Sequence, residues 1–137
     1  MRRCSVPLAG LVPLLVVLAG CGSSAAKPFP PDLEARAVAE RYGYAVKSQA
    51  WGTICREYLA PRLRANVEQL GVPCEQALAR ALGDVRAPTL EVVSSRVSGA
   101  VALVRVRTGA EGQKESIDVL EVVRQRDGSW RIADLDA

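Results

Sequence analysis

The chain has 137 residues, enough for one domain with a single modest core, and it contains 18 basic residues, 15 acidic residues and no histidine. Without histidine it lacks the commonest general base, the commonest metal ligand and the usual partner of a nucleophilic Ser or Cys, so we expect no catalytic triad, metal or cofactor. Because Arg2 and Arg3 lie in the leader described next, 16 basic and 15 acidic residues follow it, and this near-neutral balance argues against a nucleic-acid partner.

Residues 1–21 show the three-part pattern of a secretory signal: two arginines, an uncharged apolar run, and small residues before Cys21. The run from Ser5 to Ala19 is interrupted by prolines and reaches only about 22 Å as a helix, whereas a bilayer core is about 30 Å thick. Leu18-Ala19-Gly20-Cys21 matches the bacterial lipoprotein motif at every position. The sequence therefore predicts cleavage between Gly20 and Cys21 and lipid attachment at Cys21, with an ordinary signal peptide or an uncleaved anchor as the alternatives.

The lipid prediction sets the expected location and domain boundaries. Two acyl chains on Cys21 would hold the protein stably at the outer, extracytoplasmic face of the cell membrane, whereas one chain binds only marginally. The residues after Cys21 are small and polar and then rich in proline, a composition typical of an extended spacer. We expect a signal peptide over 1–20, a lipidated tether over 21–31 and a folded domain over 32–137.

The first half of that domain has the apolar spacing of helices. Asp32 is the expected N-cap of a helix over about 33–49, and a shorter helix is expected to begin at Trp51. Pro61 is suited to the first turn of a further segment, which Gly71 is expected to end. An amphipathic pattern then predicts a helix from Cys74 to Gly83; the residues expected on one face of the preceding segment are Leu59, Leu63, Val67 and Leu70.

Cys55 and Cys74 are the only cysteines left once Cys4 leaves with the leader and Cys21 carries lipid. Export places them in an oxidising compartment, where two thiols usually form a disulfide. The alternative is a pair of buried free thiols. A catalytic thiol is disfavoured because no histidine is present to activate it.

The second half of the domain reads as four strands. Residues 89–97 are rich in β-branched side chains, 100–107 alternate apolar and polar, 116–125 form a third run, and Trp130 with Ile132 continue a fourth. Ser98-Gly99 and Asp127-Gly128 predict tight turns between neighbouring strands. Helices followed by an antiparallel meander give an α+β fold.

Two features of this half invite functional interpretation. Its arginines are interleaved with acidic residues, which favours a solvated sheet face over an anion-binding face. Asp118 lies beside apolar residues on the third strand and is the one acid worth inspecting, since a buried carboxyl would have a raised pKa; a solvent-facing position is favoured. The interleaved arginines of this second half are Arg96, Arg105, Arg107, Arg124, Arg126 and Arg131.

The order of these features resembles the nuclear transport factor two-like superfamily, also called cystatin-like or polyketide-cyclase-like, and above all its small exported lipoproteins from high-GC Gram-positive bacteria. The resemblance covers roughly 33–135. It rests on Trp51 and Cys55 leading to Leu59-Ala60-Pro61, on Cys74-Glu75-Gln76-Ala77-Leu78, and on the closing Asp127-Gly128-Ser129-Trp130-Arg131-Ile132. It implies a curved, cone-shaped sheet that wraps a long helix and leaves a pocket.

The resemblance leaves the function open, because some members are isomerases, dehydratases or cyclases and many only bind or assemble. Such enzymes place Asp, Tyr or His at the pocket, but no catalytic motif of the family is matched here. The three tyrosines, Tyr42, Tyr44 and Tyr58, are expected in the core or at a rim. The sequence thus favours a non-catalytic envelope module that binds a small apolar ligand or an envelope protein; the alternatives are a pocket enzyme and a structural subunit of a membrane complex.

Overall fold

In the computed structural model, which describes residues 30–69 and 71–137, four α-helices precede four β-strands. The α+β class expected from the sequence is confirmed. The elements in chain order are α1 Pro31–Lys47, α2 Trp51–Thr53, a π-helical turn Ile54–Tyr58, α3 Pro61–Glu68, α4 Cys74–Leu82, β1 Thr89–Ser98, β2 Val101–Gly109, β3 Ser116–Arg124 and β4 Trp130–Asp134. The leader, Gly20, Cys21 and Leu70 lie outside the described residues.

The start of α1 differs from the expectation. Asp32 does not cap the helix, because α1 already begins at Pro31, with Pro30 as the flanking residue. The fixed φ of proline suits the first helical turn, and Pro31 has no amide hydrogen to leave unsatisfied there. Asp32 and Glu34 instead lie within the first turn, where the helix dipole favours negative charge.

The four strands form one antiparallel sheet in the order β1-β2-β3-β4, so the predicted meander is confirmed. The turn at Asp127-Gly128 forms as expected: Gly128 takes φ +86°, and the Asp127 carboxylate accepts hydrogen bonds from the Ser129 amide (2.9 Å) and hydroxyl (2.6 Å). The first turn lies one residue later than predicted, at Gly99-Ala100.

One face of the sheet carries the core. Val104, Val106 and Ala102 alternate with exposed residues along β2 and are fully buried. They align with inward-facing residues of the neighbouring strands, and the set is completed by Leu120, Val122, Trp130 and Ile132. Burial of this apolar face against the helices is the main stabilising contribution to a domain of this size.

The third strand contains apolar residues on both faces. A bulge occurs at Glu121/Val122 against β4, whereas the register with β2 is continuous from Ser116 to Val123. Ile117 therefore lies on the outer face, where 47% of it is exposed.

The long helix α1 crosses the inner face from the start of β4 to the start of β1. Near its beginning, Glu34 accepts a hydrogen bond from the indole nitrogen of Trp130 (Nε1 to Oε2, 3.0 Å). Near its end, Gly43 packs so closely on Leu90 that a Cβ at position 43 would lie 2.8 Å from the Leu90 Cβ. The helix is therefore fixed to opposite ends of the sheet, and space remains beside each of its ends.

After the π-helical turn, the chain extends along the outer edge of β4. Leu59 forms a parallel bridge with Ile132, and the Ala60 amide donates to the Ile132 carbonyl at 2.7 Å. Leu59 and Ala60 are both buried. The segment that precedes Pro61 thus covers part of an edge that would otherwise expose unpaired backbone groups.

Candidate functional site

The disulfide region positions one wall of a cleft. Cys55, in the π-helical turn, is joined to Cys74 at the start of α4, with the sulfur atoms 2.00 Å apart and both residues buried. An exposed ion pair between Arg56 and Glu75 lies alongside at 3.0 Å. The turn ends at Tyr58, and π-helical turns are frequent at functional sites. The disulfide therefore fixes the segment that carries Glu57 and Tyr58.

A cleft of about 520 Å³ lies beside the first turns of α1, the end of the domain that the expected tether would join. We call it the tether-end cleft. The first turns of α1, the π-helical turn and the turn between β3 and β4 form its walls, and most of its lining is apolar. The lining includes Leu33, Ala37, Arg41, Glu57, Tyr58 and Trp130.

The polar groups of the tether-end cleft are of mixed charge. Glu34 is held by the Trp130 indole, whereas Arg41 and Glu57 are exposed. Leu33 is 48% exposed at its margin. Apolar surface bordered by exposed charges of both signs resembles the composition of a protein–protein contact more than that of a closed catalytic pocket.

A second cleft, of about 230 Å³, lies at the opposite end of α1. We call it the distal cleft. It is bounded by the end of α1, the connection from α4 to β1, and the loop between β2 and β3. The last two are joined by a hydrogen bond from the Glu111 amide to the Arg86 carbonyl at 2.9 Å. A bond from Gln49 Nε2 to the Gly83 carbonyl (3.2 Å) links the ends of α1 and α4.

Tyr42 lies in the wall of the distal cleft. Only 8% of this residue is exposed, and its hydroxyl makes no hydrogen bond to any residue that the structure describes. Burial raises the pKa of Tyr42 above its ordinary value of 10.0, because the apolar surroundings disfavour the phenolate. At neutral pH the hydroxyl is thus protonated and available as a donor.

Asp118 lies near the distal cleft but does not line it. The strand register pairs it with Val106, on the inner face, but the residue is only half-buried, so it is neither the buried carboxyl nor the fully solvent-facing one that the sequence analysis considered. It lies on the inner face because the continuous β2–β3 register places every second residue of β3 on the helix side. Its carboxylate accepts hydrogen bonds from the Thr108 hydroxyl and from Ser116 Oγ (3.0 Å to Oδ2).

The outer face of the sheet is a third surface. It exposes Val101, Leu103 and Ile117 among charged residues. Arg107 forms an ion pair with Glu91 on the neighbouring strand at 2.8 Å, and Arg131 donates to the Arg56 carbonyl at 2.6 Å. These partners support a solvated sheet face rather than an anion-binding array.

Comparison of the chain with protein-family models, curated proteins and solved structures finds no match. Within residues 30–69 and 71–137, no helix combines the length and hydrophobicity needed to cross a bilayer. In the same part of the chain, no three Cys, Asp or Glu residues cluster closely enough to hold a metal ion.

The sequence-predicted site residues divide into two groups. Cys55 and Cys74 are brought together, whereas Gly20 and Cys21 fall outside the described residues. Tyr42 lies in the core, as its apolar spacing on the helix predicts, but the sequence did not predict that it also lines a cleft. The unusual Gly43 beside it was the available signal, since a glycine within a helix often marks a close approach.

Proposed function

We propose that the protein is a non-catalytic binding module, lipid-anchored through Cys21 at the outer face of the cell membrane. The anchor is supported by Leu18-Ala19-Gly20-Cys21 and by the spacer that follows it. On this proposal the domain belongs to the nuclear transport factor two-like superfamily, with its sheet curved into a cone around α1. Its partner is a small apolar ligand or an envelope protein.

The observation that carries the binding part is that α1 leaves open, largely apolar clefts at both of its ends. A domain whose inner face was filled entirely by its own side chains would offer no such sites. The tether-end cleft lies beside Pro31, and the ten residues from Cys21 to Pro30 span at most about 33 Å. This cleft therefore stays within reach of partners at the membrane surface.

The pocket-enzyme alternative needs a group that exchanges a proton near neutral pH in an open cavity. In the distal cleft, burial moves the pKa of Tyr42 upward, away from that range. Asp118 does not line the cleft, and its carboxylate accepts hydrogen bonds from two hydroxyl groups that do, those of Thr108 and Ser116. These observations favour binding over proton transfer.

Fractionation of cells tests the anchor. Cys21→Ala should move the protein from the membrane fraction to the soluble extracytoplasmic fraction, because the thiol that takes the lipid is gone. Cys4→Ala is the matched control, since it changes a leader cysteine that has no role after cleavage. Retention of Cys21→Ala in the membrane fraction would contradict lipid anchoring at this residue.

A further inference from the structure

We propose that the distal cleft binds a small, uncharged, apolar molecule carrying one hydrogen-bond acceptor, to which the hydroxyl of Tyr42 donates. This inference rests on the proposed binding function and names the ligand class for one of the two clefts. The first observation is the Tyr42 hydroxyl itself. Tyr42 lines the cleft and is only 8% exposed. Its hydroxyl makes no hydrogen bond to any of the described residues.

Among the described residues no side-chain nitrogen or oxygen is both fully buried and unpaired, so the Tyr42 hydroxyl keeps contact with solvent. Water completes its hydrogen bonding there, and a ligand acceptor would take the place of that water. Two other hydroxyl groups of the lining are engaged. Those of Thr108 and Ser116 lie 2.9 Å apart, and each is within hydrogen-bond distance of the Asp118 carboxylate. Tyr42 is therefore the donor that lies within the apolar wall, whereas the other polar residues of the lining, Thr89, Gln113 and Lys114, are exposed.

The rest of the wall sets the polarity of the ligand. Most of the cleft wall comes from apolar side chains, and transfer of a charged group into such surroundings is costly without a buried partner. Lys114 also lines the cleft, but it is an exposed residue. A neutral ligand therefore fits best; the apolar wall residues are Val46, Leu82, Val85, Pro88 and Leu90.

The volume limits the size of the ligand. About 230 Å³ corresponds to roughly eight water molecules, and it lies below the range of about 300–1,000 Å³ that is typical of drug-sized ligands. A single six-membered ring with one carbonyl group meets the requirements of size, polarity and one acceptor. Gly43 and Leu90, which approach each other closely, both line the cleft and form one side of it.

The test measures binding of cyclohexanone to the full chain, purified from membranes in mild detergent, by ligand-observed NMR titration. Methylenecyclohexane is the matched probe, because it has the same shape and replaces the carbonyl oxygen with carbon. We expect the ketone to bind more tightly than the alkene. Tyr42→Phe should weaken ketone binding about three- to tenfold, the effect of one neutral hydrogen bond, and leave alkene binding unchanged.

Two further variants locate the site. Tyr58→Phe removes a hydroxyl from the tether-end cleft and should leave both affinities unchanged. Val46→Phe fills the distal cleft and should abolish binding of both probes. Equal ketone affinity in wild-type protein and Tyr42→Phe, or binding that persists in Val46→Phe, would overturn the proposal.

The experiments distinguish failure of the proposed lipid anchor from failure of the proposed ligand class. Ketone binding by a chain that stays in membranes after Cys21→Ala would overturn the lipid anchor alone. A chain that Cys21→Ala releases, but that shows no preference for the ketone over the alkene, would overturn the ligand class alone.

Discussion

Breaking the disulfide between Cys55 and Cys74 should destabilise the domain substantially. The two residues are 19 positions apart, and the bond restricts the unfolded chain by closing the loop between them. For a loop of this length the chain-entropy relation gives about 3 kcal/mol of stabilisation at 25 °C. Total stabilities of small domains are about 5–15 kcal/mol, so this one bond supplies a large fraction.

The expected loss can be expressed as a melting temperature. For a domain of roughly 100 residues, 1 kcal/mol corresponds to about 4 °C, so reduction should lower the Tm by about 12 °C. Complete reduction of the wild-type protein retains both sulfur atoms and isolates the covalent link. Cys55→Ala/Cys74→Ala should melt at least as low, because it also removes buried sulfur atoms that are 3% and 2% exposed in the native fold.

The assay is thermal unfolding followed by circular dichroism, with and without reductant, together with titration of free thiols. Glu75→Gln is the matched control: it breaks the neighbouring ion pair with Arg56, whose side chains are 53% and 64% exposed, and should cost under about 1 kcal/mol. The reasoning is refuted if thiol titration shows full reduction while the Tm stays unchanged. It is also refuted if reductant lowers the Tm of the double variant equally.

Three further predictions concern other parts of the domain. Gly43→Ala should destabilise by about 1–2 kcal/mol in urea unfolding, because the clash with Leu90 exceeds the gain in helix propensity; an increase in stability would contradict the close contact. Because folding raises the pKa of Tyr42, its contribution to the free energy of unfolding should be complete below pH 10.0 and be lost as the pH rises further. Tyr42→Phe should flatten this alkaline decline in stability, and an unchanged decline would contradict the raised pKa. Hydrogen bonds from the hydroxyl and then the amide of Ser129 lower the pKa of Asp127. Its contribution to stability should therefore be present above pH 3.8 and disappear as the pH falls below that value. NMR titration of the carboxyl should give a midpoint below 3.8, and a higher midpoint would exclude the turn geometry.

Features set by neighbouring residues were predictable from the sequence. The alternation of Ala102, Val104 and Val106 predicted which face of β2 is buried, and Asp127-Gly128 predicted the last turn. The pairing of Cys55 with Cys74 followed from counting thiols in an exported chain. Each of these inferences depends on local periodicity, turn geometry or simple elimination, and none requires the relative placement of distant segments.

Other features needed the placement of distant segments. Asp118 lies on the inner face because β2 and β3 pair in continuous register, which its own neighbours do not encode. The start of α1 at Pro31 depends on which of several compatible caps the folded domain selects. The superfamily resemblance and the lipid anchor stay predictions, and the experiments with Cys21 and the two clefts address them.

The sequence by itself determined the α+β order, the helix and strand periodicities and the cysteine count, because each follows from interactions between residues close along the chain. Tertiary structure alone decided that Gly43 approaches Leu90 and that Tyr42 lines a cleft. The physical reason is that cavities form where distant elements fail to fill the space between them. A cleft is therefore a property of their packing, and local pattern reveals only the residues available to line it.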